Sequence, residues 1–348
     1  MEQKYIIVTG GAGYIGSHTI IEIQQNTNFE VISIDNLSNS YADTYQNIYS
    51  ITNKKVTIIE VDICDKQKLF SALEPYKNNI AGIIHFAAFK SVPESVEQPF
   101  KYYHNNIQSL LNIAEFATNQ KIKNFIFSSS CSVYGDIKIS PVTEETPLSF
   151  PSSPYAHTKQ MGENILESLV KIANLPLHCL SLRYFNPVGA HQSGLIGELP
   201  KQNLTGLAPN LIKNALGLST SFKVFGNDYN TKDGSGVRDY IHVSDIAYAH
   251  VLALKKMLMI KDNAYYDVLN LGTGKGYTVL EIIKTFEKVT RQKINYELAP
   301  RRFGDVEAIF ANNDKAFKEI NWKPKYSAEE MLLSAWNWGK KHYKNNLI

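Results

Sequence analysis

Short apolar runs rich in β-branched residues alternate along this chain with longer segments whose apolar residues recur every three or four positions. Continuous apolar runs are typical of parallel strands buried on both faces, and the longer period is typical of amphipathic helices. Strands are predicted at residues 5–9, 31–34, 57–61, 82–86, 124–128 and 177–182, and helices between them at residues 16–25, 102–118 and 155–172. The alternation predicts an α/β fold with a Rossmann-like, doubly wound parallel sheet and right-handed crossovers.

The pattern changes after Arg183. Residues 186–236 are rich in Gly, Pro and Asn, which favours loops. Further helices are predicted at 244–259, 281–289, 311–320 and 329–341, with Ser244 and Asp245 placed to cap the first of them. We therefore predict two domains. Residues 1–185 plus about 237–272 form the larger domain with the doubly wound sheet, and about 186–236 plus 273–348 form a smaller α/β domain.

Composition and charge exclude several classes of function. The chain has 348 residues, 36 of them basic and 33 acidic, and this near balance gives no patch for nucleic acid or anionic lipid. Its three cysteines, Cys64, Cys131 and Cys179, lie far apart, and its nine histidines show no metal-ligand spacing. We find no leader and no apolar run of about 18 residues. The sequence therefore predicts a cytoplasmic protein with no membrane, nucleic-acid or metal partner.

Three glycines stand at the turn between the first predicted strand and the first helix, in the segment TGGAGYIG (residues 9–16). Gly10, Gly13 and Gly16 lack a Cβ, so the backbone can turn tightly and approach a pyrophosphate at the helix N-terminus. Asp35 ends the second strand about 20 residues on, where a carboxylate binds ribose hydroxyls and repels a 2′-phosphate. This combination predicts a site for NAD rather than NADP. The alternative, a glycine-rich turn without a ligand, is disfavoured because strand, turn, helix and acidic residue agree.

Two further segments follow predicted strands. Asp62 and Ile63 come after the third strand, and Phe86, Ala87 and Ala88 come after the fourth. A doubly wound sheet binds its ligand at the carboxyl ends of its strands, so both segments are candidates for cofactor contacts. Ordinary loop chemistry is the alternative for each.

A tyrosine and a lysine four residues apart are the candidate catalytic pair. Tyr155 and Lys159 leave the same face of a predicted helix about one turn apart. An ammonium and a positive nicotinamide beside a phenol favour its phenolate, so we expect a lowered pKa for Tyr155 and a role as base. The motif is common by itself and often structural. Here the hydroxyl-rich run of residues 128–135 precedes it, at the mouth of the same sheet edge.

Other motifs extend over nearly the whole chain. They are TGGAGYIGSH (9–18), DNLSNS (35–40), HFAA (85–88), YYHNN (102–106), FSSSCSVYG (127–135), RYFNPVGA (183–190), FGNDY (225–229), GVRDYIHV (236–243) and APRRFGD (299–305). With these motifs the chain resembles the extended short-chain dehydrogenase/reductase superfamily and, within it, the UDP-glucose 4-epimerase family. The glycine motif is shared by many relatives, whereas RYFNPVGA and GVRDYIHV are far more particular.

The resemblance implies roles for individual residues. Tyr155 is the implied acid/base on the sugar 4-hydroxyl, Lys159 the partner that binds the nicotinamide ribose, and Ser130 a hydrogen-bonding partner of the same hydroxyl, with Ser132 as the alternative. The implied cofactor-binding positions are Gly10, Gly13, Tyr14, Ile15, Gly16, Asp35, Asn36, Leu37, Ser38, Asn39, Ser40, Asp62, Ile63, Phe86, Ala87, Ala88, Lys90, Asn105, Ser130, Tyr155, Lys159 and Phe185. The implied substrate-binding positions are Lys90, Ser130, Tyr155, Asn186, Leu207, Val224, Phe225, Arg238, Arg302, Asp305 and Ile309.

The implied function is NAD-dependent interconversion of UDP-glucose and UDP-galactose, by C4 oxidation, rotation of the 4-keto sugar and re-reduction, in a homodimer serving galactose metabolism. Other NAD-dependent nucleotide-sugar epimerases or decarboxylases remain alternatives. Dehydration is disfavoured because no carboxylate follows Ser130, and a non-catalytic NAD sensor is disfavoured because Tyr155 and Lys159 are both present. Ile309 stands where relatives carry either a bulky tyrosine or a small residue, so activity on UDP-N-acetylglucosamine is also expected.

Overall fold

The computed structural model describes residues 3–137, 139–199, 201, 206–302 and 305–346, with side chains as far as Tyr343. Phe303 and Gly304 of the APRRFGD motif lie outside the described residues. The strands are β1 (Tyr5–Thr9), β2 (Glu30–Ile34), β3 (Thr57–Ile59), β4 (Ile80–His85), β5 (Asn124–Ser130), β6 (His178–Tyr184), β7 (Asn186–Val188), β8 (Phe222–Phe225), β9 (Val237–Arg238), β10 (Tyr240–His242), β11 (Tyr265–Leu271), β12 (Tyr277–Thr278), β13 (Tyr296–Ala299) and β14 (Ala308–Ile309). The α-helices are α1 (Tyr14–Asn26), α2 (Asp43–Thr52), α3 (Lys66–Leu73), α4 (Val92–Glu97), α5 (Pro99–Asn119), α6 (Pro154–Lys171), α7 (Leu207–Ala215), α8 (Val243–Met257), α9 (Val279–Thr290), α10 (Asp314–Ile320) and α11 (Ala328–Asn346).

Seven strands form one parallel sheet in the order β11-β6-β5-β4-β1-β2-β3. The chain builds outward from β1 to β3 and then returns, so β4 pairs with β1 on its other side. This reversal creates a switch point between β1 and β4, where open α/β sheets bind ligands. The predicted fold class, a Rossmann-like doubly wound parallel sheet, is confirmed.

Helices cover both faces of the sheet, as its continuous apolar strands require. On one face, Ile20 of α1 and Leu254 of α8 pack in a fully buried cluster with β-strand residues such as Ile6. On the other face, Leu110 of α5 and Leu166 of α6 belong to a second buried cluster. The buried faces thus fix α1 and α6, the two helices that carry the glycine motif and the Tyr155–Lys159 pair.

Shorter sheets and helices form the remainder of the described chain. These sheets are β10 with β7, β8 with β13, and β9 between β12 and β14. Helices α7, α9 and α11 share a separate apolar cluster that includes Leu211, Phe286 and Trp338. A cluster of this kind is compatible with the smaller predicted domain, and the division of the chain into two domains stays a prediction.

The start of α8 differs from the sequence-based expectation. His242, rather than Ser244 or Asp245, is the N-cap residue, and its Nδ1 accepts a hydrogen bond from the Ser244 amide at 3.0 Å. The Asp245 carboxylate instead accepts bonds from the backbone amides of Lys325 and Tyr326. The carboxylate therefore holds the segment before α11 against α8.

Within the described residues, we find no helix with the length and apolar character needed to cross a bilayer.

Candidate active site

A cavity of about 900 Å³ lies at the carboxyl edge of the large sheet. This volume is at the upper end of the range for small-molecule sites. Its walls include residues at or just after the ends of β1, β2, β4, β5 and β6, and the shorter sheets contribute the opposite side. Most of the residues named from the sequence are among those that line it.

The glycine turn forms the floor of this cavity between β1 and α1. Gly10 has φ +70°, and a Cβ there would lie 2.9 Å from the Ala87 amide nitrogen. A Cβ on Gly16 would lie 2.2 Å from the Gly10 carbonyl oxygen. Helix α1 begins at Tyr14, and among the described residues no side chain caps its N-terminus. The positive end of the helix dipole is therefore at the cavity. These features fit a dinucleotide pyrophosphate.

Asp35 follows β2 and is held in place by the residues around it. One carboxylate oxygen accepts the Ala12 amide at 3.0 Å, and the other accepts the Leu37 amide and the Ser40 hydroxyl, both at 2.9 Å. A carboxylate has about four acceptor positions, so Asp35 keeps capacity for ribose hydroxyls. The backbone of Leu37 contacts Asp35, but Leu37 is not among the residues that line the cavity.

The next part of the wall follows β3 and β4. The Asn36 side-chain amide donates a long hydrogen bond to the Asp62 carboxylate, with 3.4 Å between Nδ2 and Oδ2. Both residues line the cavity. Other candidate cofactor positions that line the cavity are Gly13, Tyr14, Ile15, Ser38, Asn39, Ser40, Ile63, Phe86, Ala87, Ala88 and Asn105. Lys90, expected to contact ligands, forms an ion pair with Glu198 at 2.7 Å. Glu198 was missed in the sequence because it lies in a loop outside the recognised motifs, eight residues after the RYFNPVGA segment.

Tyr155 lies in the first turn of α6, which is capped by the Ser153 side chain at the Ala156 amide. Burial raises the pKa of Tyr155 to about 12, and a hydrogen bond with the Ser130 side chain opposes that rise. Ser132 donates to the Ser130 hydroxyl at 3.0 Å. Ser130 is therefore the serine that is hydrogen-bonded to Tyr155, and Ser132 is hydrogen-bonded to Ser130.

Lys159 lies one turn further along α6. Its ammonium donates to the Ser128 carbonyl at 2.6 Å and lies 4.9 Å from the centre of the Phe127 ring. Burial lowers the pKa of Lys159 to about 7, and the Glu163 carboxylate opposes that change. Burial and the hydrogen bond with Ser130, rather than the Lys159 ammonium, are the main influences on the pKa of Tyr155. The lowering was expected from the ammonium together with a positive nicotinamide, so it stays a prediction for the protein with its cofactor bound, while burial of the phenol acts in the opposite direction.

The wall near the end of β6 is apolar. Phe185 is 2% exposed and packs in one cluster with Ile309, which is 4% exposed, and with Cys131 at the edge of the cluster. All three residues line the cavity, as does the neighbouring Asn186. Ile309 therefore lies in the cavity wall in the same apolar cluster as Cys131, the residue that follows Ser130.

Two arginines approach the cavity from the shorter sheets and share one carboxylate. An Arg238 terminal nitrogen lies 3.5 Å from Asp305, and Arg302 Nε donates to the other oxygen of Asp305 at 3.0 Å. The cluster holds two cations and one anion, so an anionic ligand would meet a net positive charge. The Phe225 ring lies 4.6 Å from the Arg302 guanidinium, whereas Val224 is buried.

Three candidate substrate positions from the smaller elements, Leu207, Val224 and Phe225, do not all line the cavity. Leu207 begins α7 and lines the cavity together with the arginines and Asp305. Val224 and Phe225 of β8 do not line it; Phe225 contacts Arg302, which does, and Val224 is buried in the apolar cluster of α7, α9 and α11. Tyr184 and Trp338 line the cavity but were not predicted. Tyr184 directly precedes Phe185, whereas nothing near Trp338 in the sequence indicates that α11 reaches this far.

Among the residues that the structure describes, no three His, Cys, Asp or Glu side chains are grouped as metal ligands.

The parallel sheet, the glycine turn and the Tyr155–Lys159 pair define an extended short-chain dehydrogenase/reductase. A family model described as GDP-mannose 4,6 dehydratase matches residues 7–334. A UDP-glucose 4-epimerase of Bacillus subtilis is 46% identical over 333 residues, covering 96% of each chain. The chain belongs to the UDP-glucose 4-epimerase family.

Solved structures of similar proteins agree with this assignment. UDP-glucose 4-epimerase from Bifidobacterium longum, in complex with NAD+ and UDP, is 42% identical, covers 99% of this chain and 100% of its own, and has a TM-score of 0.92. The enzyme from Stenotrophomonas maltophila, with bound NAD and formylated UDP-arabinopyranose, is 39% identical, covers 98% of this chain and 99% of its own, and also has a TM-score of 0.92.

Proposed function

We propose that this protein is an NAD-dependent enzyme that interconverts UDP-glucose and UDP-galactose by inverting C4 of the sugar. The observation that carries the proposal is that one cavity joins the glycine turn, the Tyr155–Ser130 hydroxyl pair and the Arg238–Arg302 pair. A dinucleotide, a sugar hydroxyl and a diphosphate each have a matching group there. Membership of the epimerase family favours this function over the alternatives in the wider superfamily.

The cofactor would be held by the glycine turn, Asp35 and Lys159. Bound NAD supplies the redox chemistry, accepting a hydride from the sugar and returning it. Tyr155 moves the proton of the sugar 4-hydroxyl, and Ser130 orients that hydroxyl. Because burial raises the pKa of Tyr155 to about 12, the phenol needs a nearby positive charge to act as a base, and an oxidised nicotinamide ring would supply that charge.

The arginines favour anchoring of the substrate at its diphosphate. Guanidinium groups form paired hydrogen bonds to phosphate oxygens, and Arg238 is held half-buried beside Asp305. The wall around Ile309 and Phe185 is apolar and offers the sugar few polar partners. A sugar tethered at the diphosphate can therefore turn over without breaking many hydrogen bonds.

The test is an assay of UDP-galactose conversion with purified protein and its Tyr155→Phe variant. The variant removes only the hydroxyl, so it should fold and retain NAD but lose about 100-fold or more of the rate. Ser132→Ala serves as the matched control and should lose much less, because Ser132 contacts Ser130 and not Tyr155. Wild-type protein that retains NAD but leaves UDP-galactose unchanged would show that the proposed function is wrong.

A second candidate substrate is UDP-N-acetylglucosamine or its C4 epimer. Ile309 is the observation that favours it, because a branched aliphatic side chain lines the cavity where an aromatic ring would occupy more space. The same reaction would then act on a sugar with a larger 2-substituent.

We also propose that the protein is a homodimer formed through α5 and α6. The side chains of Phe100 and Leu111 on α5 are apolar and exposed by 80% and 41%. Leu111→Arg should convert a dimeric mass to a monomeric one by light scattering. Met259→Arg is the control, since Met259 is exposed by 78% in the turn just after α8, on the other face of the sheet.

A cytoplasmic location and a role in galactose metabolism complete the proposal. Cys64, Cys131 and Cys179 are all free thiols, which is compatible with a reducing compartment. Interconversion of the two UDP-hexoses would connect galactose to glucose-derived sugars.

A further inference from the structure

A buried ion pair between Glu163 and Arg183 lies next to the Tyr155–Lys159 pair. Glu163 follows Lys159 by one turn of α6, so the three side chains form one stripe on the helix. Arg183 Nε donates to one oxygen of Glu163 at 2.9 Å, and a terminal nitrogen donates to the other at 2.7 Å. The side chains are only 4% and 5% exposed. This pair is therefore a bidentate ion pair inside the protein, next to the proposed chemistry.

The end of β5 contacts each member of that stripe through three consecutive serines. Ser130 contacts Tyr155, the Ser128 carbonyl accepts the Lys159 ammonium, and the Ser129 hydroxyl donates to Glu163. Arg183 pairs with Ser129 across the β5–β6 ladder. The strand thus sets the position of Tyr155, Lys159 and Glu163 together, and Glu163 is the member whose charge is balanced by Arg183.

Arg183 is fixed from its other side as well. Its remaining terminal nitrogen donates to the Tyr134 hydroxyl at 3.0 Å, and that hydroxyl donates to the Asn270 side chain at 2.7 Å. Asn270 lies on β11, at the edge of the sheet. A buried ion pair adds little net stability compared with apolar packing, so a complete set of hydrogen bonds around it indicates a role in placing charge.

Among the described residues, Glu163 on α6 and His85 on β4 interact electrostatically with Lys159. The titratable groups that interact with these residues or with each other nearby are Tyr155 on α6, Arg183 and Tyr184 on β6, and Tyr134 beside Arg183. Burial, reinforced by Lys159, lowers the pKa of His85 to about 3, so this histidine is neutral. Tyr155 and Tyr184 are protonated because burial raises the pKa of each. Glu163 is thus the anion of this group.

We propose that Glu163, held by Arg183, is a positioning residue that keeps the Lys159 ammonium charged and aligned with Ser128 while Tyr155 exchanges its proton with the substrate. This inference rests on the proposed function for its consequence in catalysis. The charge on Lys159 itself can be measured without any turnover.

The experiment compares Glu163→Gln with wild-type holoenzyme by trace acetylation. The pH dependence of acetylation at Lys159 is read by mass spectrometry from about pH 4.5 to about pH 9, a range that includes the lowered pKa of about 7 and the still lower value expected in the variant. An opposite charge raises the pKa of a neighbouring ammonium, so the variant should lower the pKa of Lys159 by about one unit. The alkaline limb of kcat for UDP-galactose should move to lower pH by the same amount.

Glu167→Gln is the matched control. Glu167 lies one turn further along α6 and forms an exposed ion pair with Lys171 at 2.6 Å, so its loss should leave both readouts unchanged. A Lys159 pKa in Glu163→Gln equal to the wild-type value would overturn the inference. If the shift occurs but wild-type protein does not convert UDP-galactose, the proposed function fails while the role of Glu163 in holding the charge stands.

A second variant covers failure of Glu163→Gln to fold, since that change leaves Arg183 without its anion. Glu163→Asp keeps the charge but shortens the side chain by one methylene, which changes the position of the carboxylate relative to Lys159 and Arg183. The inference then expects a smaller shift of the Lys159 pKa in the same direction, and an unmoved value would overturn it.

Discussion

The Lys90 ammonium lies 2.7 Å from the Glu198 carboxylate, and the two residues come from different parts of the chain. Lys90 follows β4 of the large sheet, whereas Glu198 lies in the loop between β7 and α7. Both line the cavity, so their contact joins two of its walls. The Glu198 carbonyl also accepts the Tyr343 hydroxyl at 3.0 Å, which connects this loop to α11.

Breaking the Lys90–Glu198 ion pair should weaken the hold of the cavity on its cofactor while leaving the other residues of the site in place. The Lys90 side chain is 50% exposed, so water screens the pair and its contribution is below about 1 kcal/mol. We expect Glu198→Gln to speed the dissociation of bound NAD by about two- to five-fold at low salt, measured by cofactor fluorescence after dilution. Glu115→Gln, which breaks the Lys66–Glu115 pair on the outer surface, should have no effect. An unchanged rate in Glu198→Gln would contradict the prediction.

The two arginines should differ in their effect on substrate affinity. The Arg238 side chain is 17% exposed and that of Arg302 is 46% exposed, so water screens Arg302 more. Lysine cannot form the paired hydrogen bonds of a guanidinium. Arg238→Lys should therefore raise KM for UDP-galactose by about ten-fold or more, and Arg302→Lys by less.

The control for these variants is Arg301→Lys. Arg301 pairs with Asp228 at 2.7 Å on the surface and does not line the cavity, so its KM should match the wild-type value. Equal losses for Arg238→Lys and Arg302→Lys would show that burial does not set their importance.

A larger side chain at position 309 should select against N-acetylated sugars. Ile309 is buried against Phe185, so the ring introduced by Ile309→Tyr must extend into the cavity. Overpacking of this kind costs about 1–3 kcal/mol. We expect measurable turnover of UDP-N-acetylglucosamine by wild-type protein, and a ratio to UDP-galactose turnover that falls about ten-fold in Ile309→Tyr but not in Ile309→Val. No turnover of the N-acetylated sugar by wild-type protein would refute the expectation.

Acid should destabilise the fold through four buried histidines. Burial lowers the pKa of His18 and His85 to about 3, and of His242 and His250 to about 4, from an ordinary value of 6.5. The unfolded chain binds protons first, so stability present above pH 6.5 is lost as the pH falls toward 4. Each histidine contributes up to about 1.4 kcal/mol per pH unit to this loss. Asp245 opposes part of the loss, because burial raises its pKa to about 6.

The measurement is the free energy of unfolding in urea at about pH 6.5 and about pH 5. His250→Gln removes one buried histidine and should reduce the mean slope over this range by about 1 kcal/mol per pH unit, because the unfolded imidazole is only half protonated at pH 6.5. His104→Gln is the control, since His104 is exposed on α5, and it should leave the slope as in wild-type protein. Identical slopes in all three proteins would show that His250 does not take part.

The strands of the sheet could be predicted from sequence because their apolar runs are continuous. β1 has the predicted bounds, and β2, β5 and β6 differ from the prediction by one or two residues at an end. β11 was not among the predicted strands. It is an edge strand whose first four residues are only partly buried and include Asp267, so its sequence lacks a continuous apolar run.

The chemical groups of the site could be located from sequence, but their charge states could not. The Tyr155–Lys159 spacing placed both side chains at the cavity, while the hydrogen bond of Lys159 to Ser128 depends on where β5 ends beside α6. The ion pair behind them joins α6 to β6 and needs the sheet order to be known. The four-residue spacing of Lys159 and Glu163 was the available signal, and it is common on helix surfaces.

Asp239, next to Arg238, accepts the hydroxyl and amide of Thr273 at 2.6 and 2.8 Å and the amide of Gly274 at 3.0 Å. It also accepts the Ala311 amide at 3.2 Å, so the strand that carries Arg238 is joined to the turn after β11 and to the residues after β14. These segments lose their conformational freedom when the chain folds. An anion that reaches Arg238 therefore meets a cation whose backbone is already ordered, and little of its binding free energy is spent on ordering that part of the chain.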